Sequence, residues 1–140
     1  MEYFTTTSKA SRRAVDCVIV GVYERGKLGV GATDIDAAGK GYLKELVRSG
    51  DVPNAPGRCV VLTDVPGVRA KRVAVAGLGK PSKLDGNVFR KAVAAAIQAL
   101  DGSKTRQVLN TLTLEPVKGA SPYYLARHSA EIVGETLYRF

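Results

Sequence analysis

Apolar residues follow two rhythms along this chain, and the switches between them mark out its elements. Ala14-Val15-Asp16-Cys17-Val18-Ile19-Val20-Gly21-Val22 is a nearly continuous apolar run. A strand of that kind is covered on both faces, which points to an α/β sheet rather than a half-wet antiparallel one. Upstream, Tyr3 to Thr7 is aromatic and β-branched, a short strand. A glycine-rich connection spans residues 26–33, and then the period changes. Ile35, Ala38, Tyr42 and Leu46 fall on one line with Leu43 and Val47 beside it, while Lys40, Lys44, Glu45 and Arg48 face away. That spacing predicts one helix, capped by Asp34 and ended by a left-handed Gly50. Pro53 and Pro56-Gly57 forbid its continuation.

Cys59 to Thr63 reads as the next buried strand and Val73 to Ala76 as its hairpin partner. Between them, Val65-Pro66-Gly67-Val68 has proline and glycine where a type II turn wants them. Ser82-Lys83-Leu84-Asp85 resembles a capping box. It opens a helix with a wide apolar face (Leu84, Val88, Phe89, Ala92, Val93, Ala96, Ile97, Leu100) that stops at Gly102. Gln107 to Leu114 is a last strand, and Ser121-Pro122 starts a helix running through Leu125, Ile132 and Val133 towards Leu137. The order β-β-α-β-β-α-β-α means a mixed sheet with helices packed on its faces. At 140 residues, without internal repeat or linker, the chain is one domain. It stops at Tyr138-Arg139-Phe140, directly after the helix, which suggests a longer protein cut at a domain boundary.

Composition narrows the chemistry. Apolar residues make up 45% and charged residues 24%, the balance of an ordinary globular domain. No apolar stretch approaches the ~18 residues of a spanning helix, and the N-terminus lacks a signal-peptide layout. Cys17 and Cys59 both sit in apolar runs, as buried free thiols of a reducing compartment do, so the expected address is the cytoplasm. With one histidine, His128, and two distant cysteines, no zinc-finger or zincin site can be assembled. No Gly-x-Ser-x-Gly elbow carries a serine nucleophile.

Four sets of residues come into question for function. Gly77, Gly79 and Lys80 follow a strand and precede a helix, where backbone amides can cradle a phosphate. The full signatures fail, because Ala74, Pro81 and Ser82 stand where a P-loop or dinucleotide fingerprint needs other residues. Gly26, Gly29 and Gly31 with Lys27 look similar but read as a surface loop, and Asp34 with Asp36 reads as a helix cap. Net charge is +8, from 21 Lys plus Arg against 13 Asp plus Glu. The cations come in small groups: Arg12-Arg13, Arg69-Lys71-Arg72, Lys80 with Lys83, Arg90-Lys91, and Lys104 with Arg106. Arg69, Lys71, Arg72, Lys80 and Lys83 are candidate DNA contacts if they share a face; otherwise the charge is a solvated surface.

Several segments, in order, resemble the N-terminal domain of the leucyl aminopeptidase (cytosol aminopeptidase) family, bacterial members most of all. They are Val18-Ile19-Val20-Gly21-Val22, Gly41-Tyr42-Leu43 with Gly50, Pro56-Gly57, Val73-Ala74-Val75-Ala76-Gly77-Leu78-Gly79-Lys80, and Glu135-Thr136-Leu137-Tyr138. The resemblance implies a three-layer α/β/α fold with a mixed sheet, macro-domain-like. It also implies a homo-hexameric cytosolic parent whose separate C-terminal domain carries two divalent metals, manganese or zinc, and hydrolyses the first peptide bond. No metal or catalytic motif of that domain occurs here, so no cofactor and no catalytic residue is expected in this chain. The resemblance leaves a structural and assembly role in front, with DNA contact and binding of an ADP-ribose-type nucleotide as alternatives.

Overall fold

The computed structural model describes residues 2–4, 10–12, 14–121, 124, 125 and 127. Its elements are β1 (Glu2–Phe4), β2 (Cys17–Tyr23), α1 (Val30–Ala38), α2 (Tyr42–Ser49), β3 (Cys59–Thr63), β4 (Arg72–Gly79), α3 (Gly86–Leu100) and β5 (Gln107–Asn110). They form one five-stranded sheet in the order β1-β5-β2-β4-β3. β1, β5, β2 and β4 run parallel, and β3 closes one edge antiparallel to β4. The long apolar run is β2, the middle strand, and its two faces explain its composition. Cys17, Ile19 and Tyr23 pack with Ala74, Ala76 and Leu78 of β4 under the Phe89, Ala92, Val93, Ala96 and Ile97 face of α3. Val18, Val20 and Val22 pack with Val73 and Val75 under Ala32 and Ile35 of α1 and Leu43 of α2. The result is the expected α/β/α sandwich with a mixed sheet.

The β3–β4 hairpin forms as predicted, with Gly67 at φ 76° in the turn between the strands. β4 runs three residues further than its apolar core, to Gly79. Cys17 and Cys59 are both free, and burial pushes each thiol up to about 12, so neither is a ready nucleophile.

Local chemistry moved several boundaries. β2 starts at Cys17, not at Ala14, because the Asp16 carboxylate turns to accept from the Arg106 and Gln107 amides at 2.8 and 3.0 Å. The single helix expected over 34–50 is two helices. Lys40 (φ 53°) and Gly41 (φ 89°) are consecutive left-handed residues, which no α-helix can contain. Asp34 is therefore not a cap. It lies within α1 and accepts from the Ser11 amide at 2.8 Å. Asp36 reaches across the break and caps α2, accepting from the Lys44 amide at 2.8 Å. Gly50 ends α2 in the left-handed conformation, as expected. The capping box at Ser82 is replaced by a short 3₁₀ turn at Pro81–Lys83, and Asp85 caps α3 instead, accepting from Val88 N at 3.0 Å. β5 ends at Asn110, and Leu112–Leu114 forms a 3₁₀ turn. Ser121 does cap the next turn, its hydroxyl accepting from Tyr124 N at 3.2 Å. His128 and the rest of that helix lie outside the described residues.

The two capping assignments for α3 separate in a denaturation experiment. Asp85→Ala should lower stability to urea by about 1 kcal/mol, the usual cost of a lost N-cap, while Ser82→Ala should stay within about 0.5 kcal/mol of the parent. Equal losses would return the cap to Ser82.

Candidate functional site

The parallel strands deliver their C-terminal ends to one edge of the sheet, and the segments that leave them diverge. From β2 the chain runs through residues 24–29 to α1 on one face. From β4 it runs through residues 80–85 to α3 on the other face. Parting of this kind opens a crevice at the strand ends, the usual ligand position of an open α/β sheet. Here it is a cleft of about 460 Å³ lined by Glu24, Arg25, Lys27, Lys80, Pro81 and Ser82. A second cavity of about 260 Å³ adjoins it, sharing Lys27 and Pro81 and walled by Tyr23, Leu28, Gly29, Val30, Thr33, Glu115 and Pro116.

One buried acid organises the floor between them. Glu115 is 5% exposed, and its carboxylate holds the N-terminus of α1, accepting from the Val30 amide at 2.6 Å. Its other oxygen accepts from the Tyr23 hydroxyl at 2.6 Å. Gly29 permits this approach, since a Cβ there would lie 2.6 Å from Glu115 Oε2 and 2.8 Å from the Gly21 carbonyl oxygen. Burial raises the carboxyl of Glu115, against the opposing pull of the Tyr23 and Val30 hydrogen bonds and the nearby Lys27 charge. Burial and then the carboxylate raise the Tyr23 hydroxyl, which therefore stays protonated and donates. Lys27 Nζ sits 5.4 Å from the centre of the Tyr23 ring, within cation–π range.

The residues singled out in the sequence fall in two places. The amides of Gly77 and Gly79 are already committed, donating to Arg58 O at 2.9 Å and Asn54 O at 2.8 Å. A Cβ on Gly77 would run into the Ala55 backbone, so this glycine serves the close approach of residues 54–58. Lys80 is the member of that set that lines the cleft. Arg69, Lys71 and Arg72 lie at the start of β4 and Lys80 and Lys83 beyond its end, so the two groups stand about 23 Å apart at ~3.3 Å per residue. They do not share a face. Instead, three sequence-distant segments are laced together at the N-terminal edge of the sheet. The Arg69 amide donates to Ser11 O at 3.1 Å, the Arg72 amide to Asp16 O at 3.0 Å, and Asp16 holds Arg106 and Gln107. Arg12, Arg69, Lys71, Arg72 and Arg106 gather there: the Arg69 side chain donates to Arg12 O at 3.5 Å, and Lys71, Arg72 and Arg106 lie around Asp16. The Arg106 and Gln107 amides, outweighing burial and helped by Lys71 and Arg72, lower the Asp16 carboxyl.

Tyr23 and Glu115 had escaped notice in the sequence. The available signal is an acid, Glu115, standing directly after the leucine-rich segment Val108 to Leu114, where a buried ionisable group needs partners.

A five-stranded mixed sheet between α1/α2 and α3, with a crevice at its strand ends, defines a macrodomain-like α/β/α domain. The solved macrodomain of Mycobacterium tuberculosis DarG shares this fold at a TM-score of 0.69, with 11% identity over 95% of this chain and 90% of that one. Tomato leucine aminopeptidase shares it at 0.67, with 18% identity over 99% of this chain and 27% of that one. The family model described as "Cytosol aminopeptidase family, N-terminal domain" matches residues 19–140. A probable cytosol aminopeptidase of Halorhodospira halophila is 39% identical over 140 residues, all of this chain and 28% of that relative. The chain belongs to the cytosol aminopeptidase family, as its N-terminal domain. It spans 25–28% of the length of such curated relatives.

Glu115 gives the site a testable pH signature. Its raised carboxyl favours the protonated form in the folded state, so its stabilising contribution is full below the ordinary glutamate range, ~4.3, and is lost as pH rises. Glu115→Gln keeps an oxygen for Val30 and can donate to the Tyr23 hydroxyl, without titrating. From about pH 4 to about pH 7 the parent should lose stability relative to this variant, followed by thermal denaturation. Glu115→Ala, which strands both donors, should cost about 1–3 kcal/mol. Parallel pH curves for parent and Gln variant would assign the titration elsewhere.

Proposed function

We propose that this domain is non-catalytic and structural, a separate folding unit of an aminopeptidase that removes N-terminal residues from peptides. In this reading the chemistry belongs to a C-terminal domain carrying two divalent metals, manganese or zinc, and the parent assembles as a homo-hexamer in the cytoplasm. One observation supports the division of labour: five acids of this domain are committed to other work. Asp16, Asp34, Asp36, Asp85 and Glu115 each accept from backbone amides of this domain. A dinuclear site needs several carboxylates converging on one point. Among the described residues, no three His, Cys, Asp or Glu side chains come together to hold a metal. In this reading the metal pair is held elsewhere, by the C-terminal domain. Also among the described residues, no helix is long and apolar enough to cross a membrane. Leucine amide with added manganese or zinc tests the proposal. The purified 140-residue chain should release leucine no faster than the metal-only control, and turnover above that control would defeat it.

DNA contact is the second reading, favoured by the basic edge and narrowed by it. Arg69, Lys71 and Arg72 join cations from two other segments there, whereas Lys80 and Lys83 lie at the opposite edge. Such an edge would neutralise phosphates and release counterions. About four contacts should make log affinity fall with log salt at a slope of about −3 to −4. Phosphate contacts position a protein on the duplex without reading its sequence, so discrimination between sequences should be poor. Duplex binding should weaken steeply between about 50 and 200 mM salt and be lost in Arg69→Glu with Arg72→Glu. Equal binding by parent and variant would reduce this edge to surface solvation.

A further inference from the structure

β3 closes one lateral side of the sheet, and nothing in its sequence guards that side. Edge strands are ordinarily kept from pairing with other chains by brevity, charge, proline or a bulge. The opposite edge strand, β1, is three residues long and begins on Glu2. β3 is Cys59-Val60-Val61-Leu62-Thr63, without charge or proline, and its register with β4 runs unbroken from Cys59 to Thr63. Two backbone hydrogen bonds fix which of its groups face outward. The Gly77 amide donates to Arg58 O at 2.9 Å and the Asp64 amide to Lys71 O at 3.3 Å. Antiparallel pairs alternate, so Val60 and Leu62 share the phase of Arg58 and Asp64 and turn their backbone groups towards β4. Cys59, Val61 and Thr63 turn theirs away, and among the described residues those amides and carbonyls meet no further strand.

The flanks of the strand say what fits it. Arg58 and Asp64 stand one residue beyond either end, both exposed, and neither forms an ion pair among the described residues. A second copy laid antiparallel about a two-fold axis at Val61 sets Cys59 against Thr63 and Val60 against Leu62. The same register sets Arg58 against Asp64 of the partner subunit at both ends, a favourable cross-strand pairing of opposite charges. The outward residues then face one another as hydrogen-bonded pairs, about six bonds across the axis. A two-fold at Val60 or Leu62 would keep the backbone phase, but would set Arg58 against an apolar Leu62 or Asp64 against an apolar Val60. Cys59 and Val61 lie on the α3-side core and Val60 and Leu62 on the other, so pairing continues both apolar layers from copy to copy. We propose that β3 is a self-pairing edge, through which two copies of this domain join antiparallel about Val61 into one continuous sheet. The contact is isologous, the same strand on both sides. It goes beyond the structural role and depends neither on the metal pair nor on the hexamer.

Sedimentation equilibrium of the chain from about 5 to about 500 μM, at about 50 mM salt, tests the proposal. A contact this short is small, so a weak, concentration-dependent dimer is expected. Thr63→Pro removes an outward amide and puts a ring in its place, while the β3–β4 ladder loses no donor, and should weaken the dimer about tenfold or more. Arg58→Asp and Asp64→Arg each set like charges against one another and should each weaken it about fivefold or more. An equimolar mixture of these two variants restores opposite charges at both ends and should associate within about twofold of the parent. The mixture also separates loss of contact from loss of fold, since it recovers only if both chains are folded. Lys104→Glu makes the same change in net charge as Arg58→Asp, but ahead of β5, with β2 and β4 between it and this edge, and should leave the dimer within about twofold. A chain that stays monomeric at about 500 μM leaves the edge to another partner and overturns the proposal. So does a Thr63→Pro chain that associates like the parent, a mixture that associates no better than either variant alone, or a Lys104→Glu chain weakened as much as Arg58→Asp.

Discussion

Burial of β2 on both faces is the constraint from which the domain follows. A strand with valines on one side and Cys17, Ile19 and Tyr23 on the other cannot leave either face to water. Helices must cover both, and a chain that leaves neighbouring strands towards opposite faces parts at their ends. The crevice is thus a by-product of covering the sheet. What lines it is then decided by short loops that contribute little to the core, which is why the same layered frame can hold different chemistries or none.

The domain also shows how a fold can occupy its own binding features. A helix N-terminus attracts anions, and here a carboxylate from the far end of the chain takes the place. Glycines after a strand invite a phosphate, and here their amides hold a neighbouring loop. Satisfying these donors internally stabilises the fold and removes them from recognition.

Much of this was legible in the sequence because burial writes a period. The apolar run of β2, the β3–β4 hairpin and the wide face of α3 all appear where the pattern of apolar residues puts them. The break between α1 and α2 was written as Gly39-Lys40-Gly41, but the apolar line continuing through Tyr42 and Leu46 masked it. The site was harder, because sequence proximity is a poor guide to position in a parallel sheet. Lys71 and Lys80 are neighbours in sequence but are separated by the full length of β4. Arg12, Lys71 and Arg106 are far apart in sequence yet meet, because parallel strands all begin at the same edge. Glu115 met Tyr23 through a separation of 92 residues, which no local pattern encodes.

Asp16 and Glu115 stand at opposite ends of the same strand, and acid acts on them in opposite senses. Asp16 is held low by amides, so the clamp joining the starts of β2 and β5 is strong at neutral pH and slackens as the medium turns acid. Glu115 is pushed up by burial, so the tie between the end of β2 and the start of α1 is most comfortable in acid and costs more as the pH climbs. Protons thus weigh on the two rims in opposite senses, easing the crevice rim in acid and the basic rim near neutrality.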